Sequence, residues 1–156
     1  MKADDSLAQG QSPAQGRRVV FTDGAFDLMH HNHIEFLREA RELGDRLLVG
    51  VVSDALCRSY KRQPILTQDE RLRAVRALAF VDETFLFEGP FAAAVMEMLI
   101  VQHAVTTVVY GGHWSRSDYY EPAIRRGIMC FKPYRPGLTS SAIIARIVER
   151  HRTGSL

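Results

Sequence analysis

Residues 18–37 read RVVFTDGAFDLMHHNHIEFL. Val19-Val20-Phe21 is apolar on consecutive positions, which is how a strand covered on both faces reads. The chain then turns at Asp23-Gly24, crosses a short loop, and enters a helical stripe of Ile34, Leu37 and Ala40 flanked by Phe36 and Leu43, with Gly44 as its expected C-terminal stop. A buried strand running through a tight glycine turn into an amphipathic helix is half of a parallel strand-helix-strand unit.

The same pattern repeats outward from this stretch. Leu47 to Val52, Val105 to Tyr110 and Ile128 to Phe131 are short apolar runs bounded by Gly, Asp or Pro. Phe80 to Phe87 is a fifth strand, nearer an edge because Asp82, Glu83 and Thr84 interrupt it. Thr67-Gln68-Asp69-Glu70 ahead of Leu72, Val75 and Leu78 forms a capping box that opens a second helix. Gly89-Pro90 precedes a third, through about His103, and Thr139-Ser140-Ser141 precedes a last one with Ile143, Ile144, Ile147 and Val148 on one face. The expected fold is therefore α/β: a Rossmann-like, five-stranded parallel sheet with helices on both faces and right-handed crossovers. Ligands of such sheets sit beyond the carboxyl ends of the strands, where the strand order reverses, which directs attention to the loops after Thr22, Val52, Tyr110 and Phe131.

The chain has 156 residues, 46% of them hydrophobic, which predicts one domain able to bury its own core. Residues 1–17 are small, polar and aperiodic and are expected to form a disordered tail ahead of a domain at 18–156. Cys57 and Cys130 are far apart and in no CxxC pattern, so neither a disulfide framework nor a cysteine-rich zinc site underlies the fold, and a cytoplasmic setting is expected. A net charge of +2 argues against a general nucleic-acid or membrane-surface binder, and no run reaches the roughly 20 apolar residues of a membrane span.

The loop from Asp23 to His33 carries the chemistry. Gly24 is expected to let backbone approach a phosphate, and His30 and His33, three residues apart at a helix start, can face one bound group. The N-terminus of that helix adds N–H donors and the positive end of a dipole. Such a site suits an anion whose charge grows during reaction.

Gly24, Phe26, Asp27, His30 and His33 fall at the spacing of the GxFDxxHxGH signature, and here the chain resembles the cytidylyltransferase-like nucleotidyltransferases. The likeness continues through Leu43-Gly44-Asp45, Val49-Gly50-Val51-Val52-Ser53-Asp54, Lys61, Pro64, Arg71 and Val81-Asp82. It also takes in Gly111-Gly112-His113-Trp114, Gly137-Leu138-Thr139-Ser140-Ser141 and Ile143-Ile144 with Arg146-Ile147. It implies transfer of a nucleotidyl group from a nucleoside triphosphate to a small phosphorylated alcohol, phosphosugar or phosphonate, with pyrophosphate released and magnesium carried by the triphosphate. CTP is the favoured donor, as in glycerol-3-phosphate or ethanolamine-phosphate cytidylyltransferases; adenylyl transfer to a sugar phosphate and a non-catalytic nucleotide-binding module are the alternatives.

The resemblance implies roles residue by residue. His30, His33 and Lys61 are the expected catalytic groups. Gly24, Ala25, Phe26, Gly112, His113, Trp114, Arg135, Thr139 and Ser140 join the two histidines around the nucleotide, and Asp27, Lys61, Arg71 and Trp114 meet the second substrate. Lys61 reads equally as a solvated loop lysine, with Arg62 able to share its role, and Arg71 as a surface ion pair or a contact to a second subunit. Thr139 and Ser140 read as phosphate ligands or simple N-caps. No metal site is expected from protein side chains. A homodimer is implied, for which apolar residues between Phe85 and Met98 are suited. Three positions depart from the family pattern: Asn32 stands at the Gly of HxGH, His113 at the acidic residue before Trp, and Tyr134 at an Arg that Arg135 offers one place later.

Overall fold

The computed structural model describes residues 16–112, 117–133 and 135–156. Strands β1 (Val19–Gly24), β2 (Arg46–Val52), β3 (Glu83–Phe87), β4 (Val105–Gly111) and β5 (Met129–Lys132) form one sheet in the order β3-β2-β1-β4-β5. All four pairings are parallel, with Val20 opposite Leu47 and Phe21 opposite Val108 in the central strand. Helices α1 (His31–Arg41), α2 (Asp54–Tyr60), α3 (Gln68–Arg76), α4 (Ala93–Gln102), α5 (Ser117–Arg125) and α6 (Ser140–Arg152) supply the crossovers and the C-terminal segment.

The consecutive apolar residues of β1 have a physical consequence in the two cores. Val19 and Phe21 pack on one face with Met96 and Leu99 of α4 and Tyr119, Tyr120 and Ala123 of α5. Val20 packs on the other with Leu37 and Ala40 of α1 and Val75 of α3. A strand read by both layers has no polar face to show, and period-2 alternation disappears. The edge position expected for the Phe80–Phe87 segment holds, although the strand itself begins at Glu83. Phe80 lies instead under the Arg38 guanidinium, 5.0 Å from its ring centroid, and the Asp82 carboxylate accepts the Leu47 N–H at 2.7 Å.

Two helices lie outside the sequence reading. Ser53 caps α2 by accepting the Leu56 N–H at 3.2 Å, and the last turn of this short helix delivers Lys61 as its C-cap. Lys61 therefore leaves a helix end rather than the middle of a polar loop. The second, α5, carries Pro122 in its interior.

Gly44 does not stop α1 by adopting a left-handed conformation. The helix ends at Arg41 with Glu42 as C-cap, and Gly44 is needed because a Cβ there would lie 2.6 Å from the Arg18 carbonyl oxygen. Close approach of two backbones, rather than a turn requirement, explains this glycine.

Helix α6 starts where expected but lies differently against the body. None of its residues is buried, and Val148, on the face read as apolar, is 59% exposed. In the segment considered for subunit contact, Phe87 and Met96 are core residues, Phe85, Leu86, Phe91 and Val95 are half-buried, and Met98 is 54% exposed. No described helix is long and apolar enough to cross a membrane.

Candidate functional site

Strand order reverses between β1 and β4, which leave the sheet side by side with their next connections on opposite sides. Beyond their carboxyl ends lies a cavity of about 610 Å³ lined by Gly24, Ala25, Phe26, Asp27, His30, Asn32, His33, Lys61, Gly112, Arg135, Thr139 and Ser140, among others. The N-termini of α1 and α6 both belong to its wall. Two helix N-termini facing one cavity make an electropositive cradle before any side-chain charge is counted.

His30 is the N-cap of α1, but its side chain makes no capping hydrogen bond, so the ring is left for another purpose. Its carbonyl accepts the N–H groups of His33 and Ile34. The His30 and His33 rings stack with centroids 3.9 Å apart, and the Nδ1 atoms of both are buried with no hydrogen-bond partner. A buried polar atom left without a partner costs free energy, and a bound anion's oxygen is one means of recovering it.

Burial, followed by the neighbouring His30, pushes His33 down to about 4 from its ordinary 6.5. His30 is lowered too, first by burial and then by His31. Both imidazoles are thus held toward the neutral form near pH 7. Between pH 6.5 and about 4 the unfolded chain binds a proton on His33 that the folded chain refuses, so stability falls as pH falls through that window. His33→Gln is expected to make the decline in urea midpoint shallower there than in the unaltered protein; parallel declines would refute the neutral, buried state of this ring.

The loop before α1 is held in an unusual conformation. Phe26 and Leu28 have φ of 51° and 49°, a left-handed region that non-glycine residues seldom occupy. The Phe26 ring explains Gly24, since a Cβ there would stand 2.9 Å from Phe26 Cζ. The ring also meets His33 edge-on at 5.7 Å. Gly24 therefore makes room for a buried aromatic that supports His33, and it also lines the cavity.

Asp27 lines the cavity, but its carboxylate is occupied: it accepts the Leu66 N–H at 2.9 Å, the Ile65 N–H at 3.0 Å and the Arg62 guanidinium at 3.0 Å. Burial would raise this carboxyl, yet the two backbone N–H groups and Arg62 hold it below its ordinary value. The residue fastens the 61–66 loop beside the histidines, and Arg62 is spent in that fastening rather than sharing the role of Lys61.

Arg71 departs furthest from expectation. It is fully buried, and its guanidinium donates to the carbonyls of Ala25 (2.6 Å), Val52 (2.8 Å) and Leu66 (3.2 Å) and to Asp54 (2.7 Å). Neither a substrate nor a second subunit can reach it. The capping box that starts α3 turns this side chain inward under the site, where it ties three loops together.

At the far wall, Thr139 accepts the Ala142 N–H at 3.0 Å and caps α6, and Ser140 donates to the Asp27 carbonyl at 2.5 Å. Their hydroxyls serve the fold; the N–H groups of this turn remain the feature suited to an anion. Arg135 pairs with Glu39 of α1, an acidic residue that also lines the cavity and that no motif in the sequence singles out. His113, Trp114 and Tyr134 lie outside the described residues.

A second cavity of about 350 Å³ adjoins Lys61 and is lined by Asp23, Tyr60 and Tyr110 as well. Asp23 accepts a hydrogen bond from the Tyr119 hydroxyl at 3.0 Å and lies 3.5 Å from that of Tyr120. Sequence reading assigned none of these residues to the site. Asp23 had a visible signal, lying beside Gly24 at a strand end; Tyr60 and Tyr110 are brought to it from α2 and β4 only by the fold.

Residues 21–145 match the family model described as Cytidylyltransferase-like. The chain belongs to this family. Among curated proteins, an ethanolamine-phosphate cytidylyltransferase of Arabidopsis thaliana is 36% identical over 155 residues, covering 93% of this chain and 36% of that protein. A bifunctional protein HldE of Trichlorobacter lovleyi is 34% identical over 143 residues, covering 88% of this chain and 28% of that protein. The chain thus spans about a third of the length of these relatives. The crystal structure of a lipopolysaccharide core biosynthesis protein from Thermoplasma volcanium shares the fold, with a TM-score of 0.61, 24% identity, and coverage of 80% of this chain and all of that one. The two signature histidines and Lys61 line one cavity.

Proposed function

We propose that this chain catalyses nucleotidyl transfer from CTP to a small phosphorylated amino alcohol. The observation that carries the reading is the convergence of two helix N-termini and two stacked, partly unpartnered histidines on one cavity, with the acid-and-tyrosine recess beside it. An oxygen of the acceptor phosphate attacks the α-phosphorus of the triphosphate, a P–O bond forms in line with the one that breaks, and pyrophosphate leaves. The attacking phosphate is already anionic, so no side chain need take a proton from it. The demand on the protein is alignment and stabilisation of charge.

In this reading His30 and His33 donate hydrogen bonds to α-phosphate and bridging oxygens, and the turn at Thr139 and Ser140 offers N–H groups to the outer phosphates. Lys61, at the junction of the two cavities, meets both phosphate groups as they approach. Asp23 with Tyr60 and Tyr110 forms an acidic, aromatic recess of the kind that attracts an ammonium group, which favours an amino alcohol over a neutral polyol. Magnesium, in this reading, enters on the triphosphate, whose charge it offsets. Two copies of the chain acting together, as the family resemblance implies, belong to the same proposal.

Adenylyl transfer to a sugar phosphate is the second reading, favoured by His113 at the position where the family pattern has an acidic residue. Pyrophosphate release measured with four nucleoside triphosphates against phosphorylated amino alcohols, polyols and sugars separates them. Turnover confined to CTP with an ammonium-bearing acceptor is expected. Turnover confined to ATP with a sugar phosphate overturns the first reading in favour of the second, and nucleotide binding without pyrophosphate release would identify a binding module.

A further inference from the structure

We infer that Asn32, the residue standing at the glycine of the HxGH pattern, is a positioning residue that latches the phosphate-facing turn before α6 onto the start of α1. The inference rests on the nucleotidyl-transfer reading for what the turn binds, but not for the latch itself. Asn32 Nδ2 donates to the Leu138 carbonyl at 2.8 Å, a bond spanning 106 positions of the chain. A carbonyl can only accept, so the side-chain amide must present its nitrogen to Leu138.

The bond matters because α6 has little else to fix it. No residue of this helix is buried, and its outer half, including Ile147 and Val148, is exposed. Among the described residues its start is tied to the body by three polar contacts. These are Asn32 to Leu138, Ser140 to the Asp27 carbonyl, and Arg135 to Glu39 just before the turn. Leu138 immediately precedes Thr139, the N-cap, and follows Gly137, whose φ of +105° is a conformation that side-chain-bearing residues rarely adopt. A glycine at position 32 has no side chain with which to make this contact. The departure from the family pattern thus adds a cross-link between two helix N-termini that line one cavity, and fixes the separation of their N–H groups before an anion arrives.

Amide hydrogen exchange on the free protein tests the latch directly. Asn32→Gly, and Asn32→Ala as a better helix former, are expected to speed exchange across residues 138–143 severalfold while leaving the amides of β1 and β2 unchanged. The same variants should bind CTP with magnesium about fivefold more weakly, the effect of one neutral hydrogen bond. In turnover, the change should fall on KM for the nucleotide more than on kcat. Unchanged exchange in a folded variant overturns the latch. Weaker binding with unchanged exchange would mean that Asn32 touches the nucleotide itself, and faster exchange with unaltered CTP binding would remove its positioning role; either result overturns the inference. Failure of the unaltered protein to bind CTP or ATP overturns the nucleotidyl reading instead, and the exchange measurement on free protein still decides the latch.

Discussion

Alanine at His30 or His33 is expected to lower kcat by about a hundred- to a thousandfold, the usual cost of removing one donor from a preorganised charge-stabilising site. The two rings sit 3.9 Å apart and each buries an unpartnered Nδ1, so they are arranged for a ligand rather than for each other. Neither ring makes a hydrogen bond through Nδ1 that the fold would miss, and His30 makes no capping bond. The thermal midpoint should therefore change little, and His33→Ala should even relieve the low-pH loss of stability that burial imposes. Because the rings act on the same transferring group, the double variant is expected to be little worse than the poorer single one. Single-turnover pyrophosphate release, with circular dichroism as the control on folding, measures this. Turnover within threefold of the unaltered protein in either folded variant would remove these residues from the chemistry.

Arg71 should behave in the opposite way. Its replacement by alanine removes the guanidinium that donates to Asp54 Oδ1 and to the carbonyls of Ala25, Val52 and Leu66. Breaking a buried, hydrogen-bonded ion pair costs about 3 to 5 kcal/mol, a large part of the stability of an ordinary domain. Arg71→Lys is expected to recover little of this, since one ammonium cannot span four acceptors held in a guanidinium's plane. With urea slopes of about 1 to 3 kcal/mol per molar, the alanine variant should unfold at least about 1 M earlier. A phosphate ligand would give the reverse pattern: an unchanged urea midpoint with a raised KM for the acceptor.

The contrast between these residues marks what could be read from residue order. His30 and His33 carry a local signal, because their spacing, the strand before them and the helix after them are continuous in the chain. The same holds for the Thr139 turn, whose capping hydroxyl and following helix are adjacent in sequence. Arg71 carries no such signal. It follows a capping box at a position that reads as a surface ion pair, and only the packing of α3 under β2 and the motif loop turns it inward. Asp27 likewise reads as a site carboxylate, but its partners Ile65 and Leu66 lie 38 and 39 positions away. The recess of Asp23, Tyr60 and Tyr110 draws on β1, α2 and β4, three segments with no common periodicity.

What the sequence by itself determined is the class of the fold, the parallel sheet with its covered faces, and the pair of histidines at a strand-to-helix turn. Each of these depends on interactions within a few residues or on hydrophobic pattern, which residue order encodes directly. Only the tertiary structure decided which polar groups face the cavity and which are consumed in building it. Arg62, Arg71, Asp27 and the hydroxyls of Thr139 and Ser140 all fall among the residues whose polar groups the fold uses. The reason is that buried donors and acceptors must find partners wherever the chain happens to bring them, and a side chain's chemistry is the same whether it meets a substrate or a carbonyl of its own backbone.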